Sequence, residues 1–293
     1  MGDFFNEYHP VVNAVFFISI LFMAMFTNYP VLQIISILGA LIYLIILKGF
    51  SGAKGILFGS LIMFFMVTLL NPIFNHKGVT ILTYFKNGNP LTLESMVYGM
   101  SAGFMFISVI LWFSCHNVIM TSDRLMYLFG RLAPALSLIF SMSLRFVPLY
   151  KKRIDEITLA RSGIGMNPKN GNLWNRMKSA LAIFSIFVTW ALESSIETAD
   201  SMRSRGYGLK GRKAFSLFHF RKRDGILLTF IVFIDFLLLY LMKDRVFKIV
   251  FYPAIKIAKV RLETILGILA FAFLAFLPTG ISIWEEWRWE YYN

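Results

Sequence analysis

The 293-residue chain is 57% hydrophobic and only 15% charged, too apolar and too sparsely charged for a soluble globular domain. Its net charge of +13 would ordinarily raise nucleic-acid binding, but cytoplasmic loops of membrane proteins concentrate Lys and Arg, so the positive-inside rule accounts for a basic apolar chain and nucleic acid is set aside. The single cysteine, Cys115, excludes an intrachain disulfide and every multi-cysteine metal site.

Residues 1–10 hold Asp3 and Glu7 but no Lys or Arg. The apolar run behind them therefore lacks the basic flank of a cleavable signal peptide and is expected to remain as a membrane helix. Gly2 invites N-myristoylation, yet Asn6 stands where that motif needs Ser or Thr. Apolar runs at 11–27, 31–47, 56–70 and 96–113 predict four spans, each near the roughly 20 residues a bilayer crossing takes. Breaks are expected at Asn28-Tyr29-Pro30, 48–54 and 71–90.

Residues 114–225 differ in composition, holding 18 of the 29 Lys and Arg and 7 of the 16 acidic residues. That charge predicts a cytoplasmic segment, and four spans before it place the N-terminus in the cytoplasm too. The run 125–144 is apolar but carries Arg131 and Pro134 and is followed by Arg145, so it reads as buried against protein instead of lipid. A helix is expected to start at Pro148, with Lys151–Asp155 and Lys152–Glu156 at i,i+4 spacing, and to end near Arg161 before Gly163 and Gly165. In the next helix, Leu173, Met177, Leu181, Phe184, Val188, Leu192, Ile196 and Ala199 form one apolar stripe about 30 residues long. Glu193, Glu197 and Asp200 lie off that stripe. Arg203 and Arg205 complement the dipole at its C-terminus, and Gly206 and Gly208 supply the stop.

Two further spans are expected at 226–242 and 264–283, the last followed by Trp284, Trp287, Trp289, Tyr291 and Tyr292 at a headgroup interface. The link 243–263 carries Lys243, Arg245, Lys248, Lys256, Lys259 and Arg261, although counting spans places it outside. Either 125–144 crosses after all or the link departs from the rule; Pro253 also allows an interfacial segment. The fold class is thus an all-α polytopic membrane protein. It divides into N-terminal spans (1–113), a cytoplasmic module (114–225) and C-terminal spans (226–293).

Ala160-Arg161-Ser162-Gly163-Ile164-Gly165-Met166 and Arg203-Ser204-Arg205-Gly206-Tyr207-Gly208-Leu209 end the two module helices in the same way. Each is readable as an ordinary glycine cap with dipole-complementing arginines. The other reading is a docking tip, because an arginine fork grips carboxylates and carbonyls in fixed geometry. Two tips suit a dimeric partner whose halves move, such as a pair of nucleotide-hydrolysing subunits.

Through Leu144-Arg145-Phe146-Val147-Pro148 and residues 199–208, the stretch from His9 to Met242 resembles the transmembrane T component of energy-coupling factor (ECF) transporters, the vitamin and transition-metal importers of the ABC class. The resemblance implies a non-catalytic scaffold in the cell membrane, with two ABC-type ATPases docked on Ala160-Arg161-Ser162 and Ser204-Arg205-Gly206. Gly163, Gly165, Arg203 and Gly208 would support the helix ends, and Arg145 and Pro148 would serve coupling or a bend. In the first motif Ser162 replaces the family's usual glycine, and aligning the Gly-x-Gly pairs sets Arg161 opposite Ser204. The resemblance also implies that Leu181, Phe184, Val188 and Leu192 face a membrane-embedded substrate-binding S component; packing on the chain's own bundle is the other reading. ATP would be held by the partners, and no cofactor or metal by this chain.

No Gly-x-x-x-x-Gly-Lys-Ser/Thr run occurs, and His9, His76, His116 and His219 form no His-Glu-x-x-His pair. Residues 206–211 match Gly-x-Gly-x-x-Gly, but they follow a predicted helix where a dinucleotide site requires a strand. Asp235, inside a span, is a candidate for ion coupling or a plain helix contact. Alternatives to the scaffold are a self-sufficient secondary transporter or an intramembrane enzyme.

Overall fold

The computed structural model describes residues 4–84, 88–132, 134–166, 172–207, 209, 218–243, 246–247, 249–257 and 261–292. The chain forms two units, one made of Met1–Leu125 with Phe218–Asn293 and the other of Met126–Leu217.

In the first unit, α1 (Pro10–Phe26) opens on a proline, and the His9 ring nitrogen accepts a bond from Val11 N at 3.3 Å. Proline suits this position because the first-turn N–H would have no helical partner. α2 (Pro30–Phe74) is interrupted at Gly49, whose φ of +70° only glycine adopts without strain. α3 (Leu93–Ile119) packs on both of its arms. Along the first arm the pairs are Gln33 with Ser101, Ser36 with Ser108 and Ala40 with Cys115. Along the second they are Phe64 with Gly103 and Thr68 with Gly99. One series runs parallel and the other antiparallel, so the chain reverses at Gly49. The predicted spans 31–47 and 56–70 are therefore the two arms of α2, and the expected loop 48–54 contracts to a single left-handed glycine.

Packing here relies on small residues and buried hydroxyls, the means available where lipid is as apolar as Leu. A Cβ on Gly103 would lie 2.6 Å from the Phe64 ring, and one on Gly99 2.9 Å from the Thr68 carbonyl. Trp112 is wholly buried and donates its indole N–H to Ser36 Oγ at 2.9 Å. A short hairpin, β1 (Ile81–Tyr84) with β2 (Pro90–Thr92), precedes α3. Glu94 anchors it by accepting the Thr80 N–H at 3.1 Å and the Thr80 hydroxyl at 2.9 Å.

α7 (Lys222–Lys243) and α8 (Leu262–Tyr292) complete this unit. The buried Asp224 carboxylate accepts Arg221 N at 2.8 Å and His9 N at 3.4 Å. It thereby caps its own helix from the third position and ties it to the start of α1. Farther along α7, Asp235 receives the hydroxyl of Ser19 on α1. α8 meets α2 where a Cβ on Gly39 would lie 2.9 Å from the Ala275 carbonyl. The helix continues through Trp284, Trp287 and Trp289 instead of stopping at 283.

The basic link between α7 and α8 forms a hairpin, β3 (Ile249–Val250) with β4 (Lys256–Ile257), turned at a cis Tyr252–Pro253 bond. Tyr252 Oη accepts from Asn75 Nδ2 at 2.7 Å, Phe251 meets Tyr98, and Phe247 meets Tyr29. The link thus lies at the end of the bundle away from Asp224, as counting spans requires.

The second unit holds most of α4 (Ser122–Leu132) and all of α5 (Pro134–Gly163) and α6 (Leu173–Ser204). α5 starts two turns or more before the expected Pro148, which lies inside it; the rings of Phe146 and Tyr150 stack across the proline at 5.3 Å. Where side chains of 125–144 are described, Ile139, Phe140 and Leu144 are exposed, so this chain does not itself bury them. Among the described residues five helices, α2, α3, α6, α7 and α8, have the length and composition to cross a membrane, with α1 a shorter apolar helix. The fold is an all-α polytopic membrane protein.

Candidate functional site

α5 and α6 meet through aromatic rings. Tyr150 abuts Phe187 and Trp190, with centroids 5.2 Å and 6.1 Å apart, and the Arg153 guanidinium lies 5.0 Å over Trp190. Arg153 also pairs with Glu156 at 2.9 Å. That i,i+3 pair, and neither of the expected Lys151–Asp155 and Lys152–Glu156 pairs, is the ion pair drawn among the described residues of α5. From this contact each helix runs on to its tip, about 16 Å to Arg161 and about 22 Å to Arg205 at 1.5 Å per residue.

Both tips are complete Schellman caps. On α5, Met166 N bonds to Arg161 O at 3.0 Å and Gly165 N to Ser162 O at 3.1 Å, with Gly165 at φ +80°. On α6, Tyr207 N bonds to Met202 O at 3.0 Å and Gly206 N to Arg203 O at 3.0 Å, with Gly206 at φ +78°. A left-handed glycine after the last turn lets two otherwise unpaired carbonyls be satisfied at once.

Superposing the caps fixes a register that neither sequence alignment anticipates. Gly165 matches Gly206, so Arg205 corresponds to Ile164 and Arg161 to Met202. Arg205 is exposed at the half-turn that closes α6. Arg161 lies about 4.5 Å farther back along its axis, half-buried, with Nη2 3.7 Å from Met166 Sδ. The chain alone carried no signal that separates the registers, because both glycines of each pair precede an apolar residue. Gly165-Met166 pairs with Gly206-Tyr207, whereas Gly163 remains helical.

The neighbouring residues reinforce the ends. Ser162 Oγ donates to Leu159 O at 2.7 Å and Ser204 Oγ to Asp200 O at 2.9 Å, each hydroxyl folding back on its own helix. Ala160 and Arg203 are exposed, and Gly208 lies outside the described residues. Arg145 and Pro148 are exposed in mid-helix, about 24 Å and 20 Å from Arg161 along α5, and do not join the tip. On α6, Leu181 and Leu192 are each 63% exposed and Phe184 61%, with Val188 half-buried. The stripe does not face α5, which instead receives Phe187 and Trp190. Among the described residues no three His, Cys, Asp or Glu side chains gather as metal ligands would.

The family model described as cobalt transport protein, CbiQ, matches residues 3–217. The chain is 33% identical over 95 residues to the energy-coupling factor transporter transmembrane protein EcfT of Bacillus selenitireducens, covering 32% of this chain and 35% of that one. It is 30% identical over 179 residues to EcfT 1 of Listeria monocytogenes (56% and 65%) and 29% over 192 residues to EcfT of Staphylococcus aureus (61% and 71%). The chain thus spans less than two thirds of the length of the first two relatives.

Proposed function

Since the chain belongs to the CbiQ cobalt transport protein family, and so is a transmembrane component of an ECF transporter, we propose that it couples two ABC-type ATPases to a membrane-embedded S component during vitamin or transition-metal uptake. ATP is bound and hydrolysed on the partners. The observation that carries this reading is the pair of Schellman-capped tips, both bearing arginines, on two helices joined at Tyr150 and Trp190.

A Schellman cap satisfies two of the terminal carbonyls within the helix, so the tip meets a partner with fewer competing demands from its own backbone. Arg205 then supplies five N–H donors in a rigid fork for carbonyls or a carboxylate lining a groove on one ATPase. Arg161 and the segment Ala160–Ser162 engage the second ATPase from a position set farther back. When the ATPases close, the tips move with them, and α5 and α6 carry the displacement to the exposed stripe of Leu181, Phe184, Val188 and Leu192. An S component laid against that stripe would bury it. In this reading the module and the N-terminus lie in the cytoplasm.

Co-purification from membranes tests the proposal. The double variant Arg161→Ala/Arg205→Ala should still insert in the membrane yet lose both the ATPases and uptake. Full assembly of that variant would overturn it. A self-sufficient carrier using Asp235 is a second reading: Ser19 engages one carboxyl oxygen in a contact between α1 and α7, and the other oxygen is buried without a hydrogen bond.

A further inference from the structure

An apolar groove lies between α7 and α8 on the membrane bundle. Leu227, Phe230, Phe273, Leu277, Ile281 and Trp284 line a cavity of about 460 Å³. Phe230 also lines a neighbouring hollow along α7 that reaches from Phe233 past Ile226 to Lys222. The rings of Phe230 and Phe273 meet edge to face, 5.2 Å between centroids. From Phe273 to Trp284 along α8 the groove measures about 16 Å at 1.5 Å per residue, close to half of a hydrocarbon core roughly 30 Å thick. It is one leaflet deep.

At its Lys222 end lies a charged hollow of about 360 Å³ lined by Glu7, Arg223, Glu285, Arg288 and Trp289. Two carboxylates and two guanidinium groups face the same space. Arg223 stands 3.8 Å from the Glu7 carboxylate and 5.0 Å over the Tyr8 ring, while Arg288 lies 5.7 Å over Trp284. Burial, reinforced by the Glu285 carboxylate, raises the Tyr8 hydroxyl above its ordinary range. The tryptophans 284, 287 and 289 on the same helix end are the side chains that favour a headgroup boundary.

We propose that the groove and its mouth hold one phospholipid whose headgroup carries both a phosphate and a primary amine, with the phosphate on Arg223 and Arg288, the amine on Glu7 and Glu285, and an acyl chain against Phe230 and Phe273. A purely anionic headgroup would satisfy the arginines and leave both carboxylates repelled. A trimethylated amine has no N–H to donate to them. An apolar partner helix would fill the groove but bury at its mouth two guanidinium groups and two carboxylates to which it offers no hydrogen bond.

The full-length protein, stripped of lipid in detergent, is incubated with phosphatidylethanolamine, phosphatidylglycerol or phosphatidylcholine of identical acyl chains, and retained lipid is read by native mass spectrometry. Phosphatidylethanolamine should be held roughly tenfold more tightly than the other two, the worth of a charge-assisted hydrogen bond. Glu7→Gln/Glu285→Gln should erase that preference. Arg223→Gln/Arg288→Gln should weaken all three lipids. Gly280→Leu points a side chain into space where nothing lies within 4 Å, and should weaken all three with the melting temperature unchanged. Equal retention of the three lipids by the unaltered protein would overturn the headgroup assignment. Retention indifferent to Gly280→Leu would overturn the groove as the lipid's site.

Discussion

Replacing Arg205 and Arg161 one at a time should give unequal losses. The cap on α6 is made by the backbone of Met202, Arg203, Gly206 and Tyr207, so Arg205→Ala removes an exposed side chain that the fold does not use. Surface changes of that kind shift stability by no more than about 0.5 kcal/mol. An arginine anchoring an interface is worth about 2–4 kcal/mol on truncation, or roughly 30- to 1,000-fold in Kd. Arg161 lies about 4.5 Å behind the corresponding position and rests on Met166, so its reach into a partner is shorter. Arg161→Ala should cost about 1–2 kcal/mol, roughly 5- to 30-fold. The assay is titration of each variant, held in lipid nanodiscs, with the purified ATPase pair, alongside thermal melting of the variant alone. A larger docking loss for Arg161→Ala, or a drop in melting temperature for Arg205→Ala matching its docking loss, would refute the register argument.

Gly206→Ala puts a Cβ at φ +78°, 3.1 Å from Leu209 Cδ1; it should cost about 1 kcal/mol of tip stability and weaken ATPase docking although every arginine is intact, as the same titration will report. Asp224→Ala removes two bonds to a buried carboxylate and should destabilise the bundle by about 2–4 kcal/mol, a fall in melting temperature that Asp224→Asn shows only in part. Gly39→Leu pushes on the Ala275 backbone and should cost about 1–3 kcal/mol, visible as the same kind of shift. Ser19→Ala leaves the Asp235 carboxyl without its donor and should lower the melting temperature more than the double change Ser19→Ala/Asp235→Leu, which removes both polar groups.

The spans were legible because lipid demands long apolar runs, and a run such as 31–47 states its role without help from its neighbours. Gly49 was not, since a reversal of direction through one glycine leaves the same composition as a short basic loop. Pro148 misled for a related reason. Proline is tolerated both at a helix start and, at a cost, within one, and only the helical backbone before it distinguishes the two. At the tips, the arginines and glycines announced helix ends, but two glycines in each Gly-x-Gly pair left the register open. Hydrogen bonds to Arg161 O and Met202 O settled it. Asp224 carried no local signal that it would serve His9, because that partner is remote in the chain.

The bond from His9 N to Asp224 spans 215 positions, and it has a consequence for the ribosome. The segment that forms the second unit is translated in full before Asp224, the residue that ties down the start of α1, exists. At synthesis rates of about 5–20 residues per second, the N-terminal helices wait many seconds for α7. A nascent chain arrested at residue 217, where the family match ends, would carry both arginine tips and yet leave the α1 end of its bundle unfastened. Closure of the bundle is thus an event of late translation, and it reports that the tips have already been made.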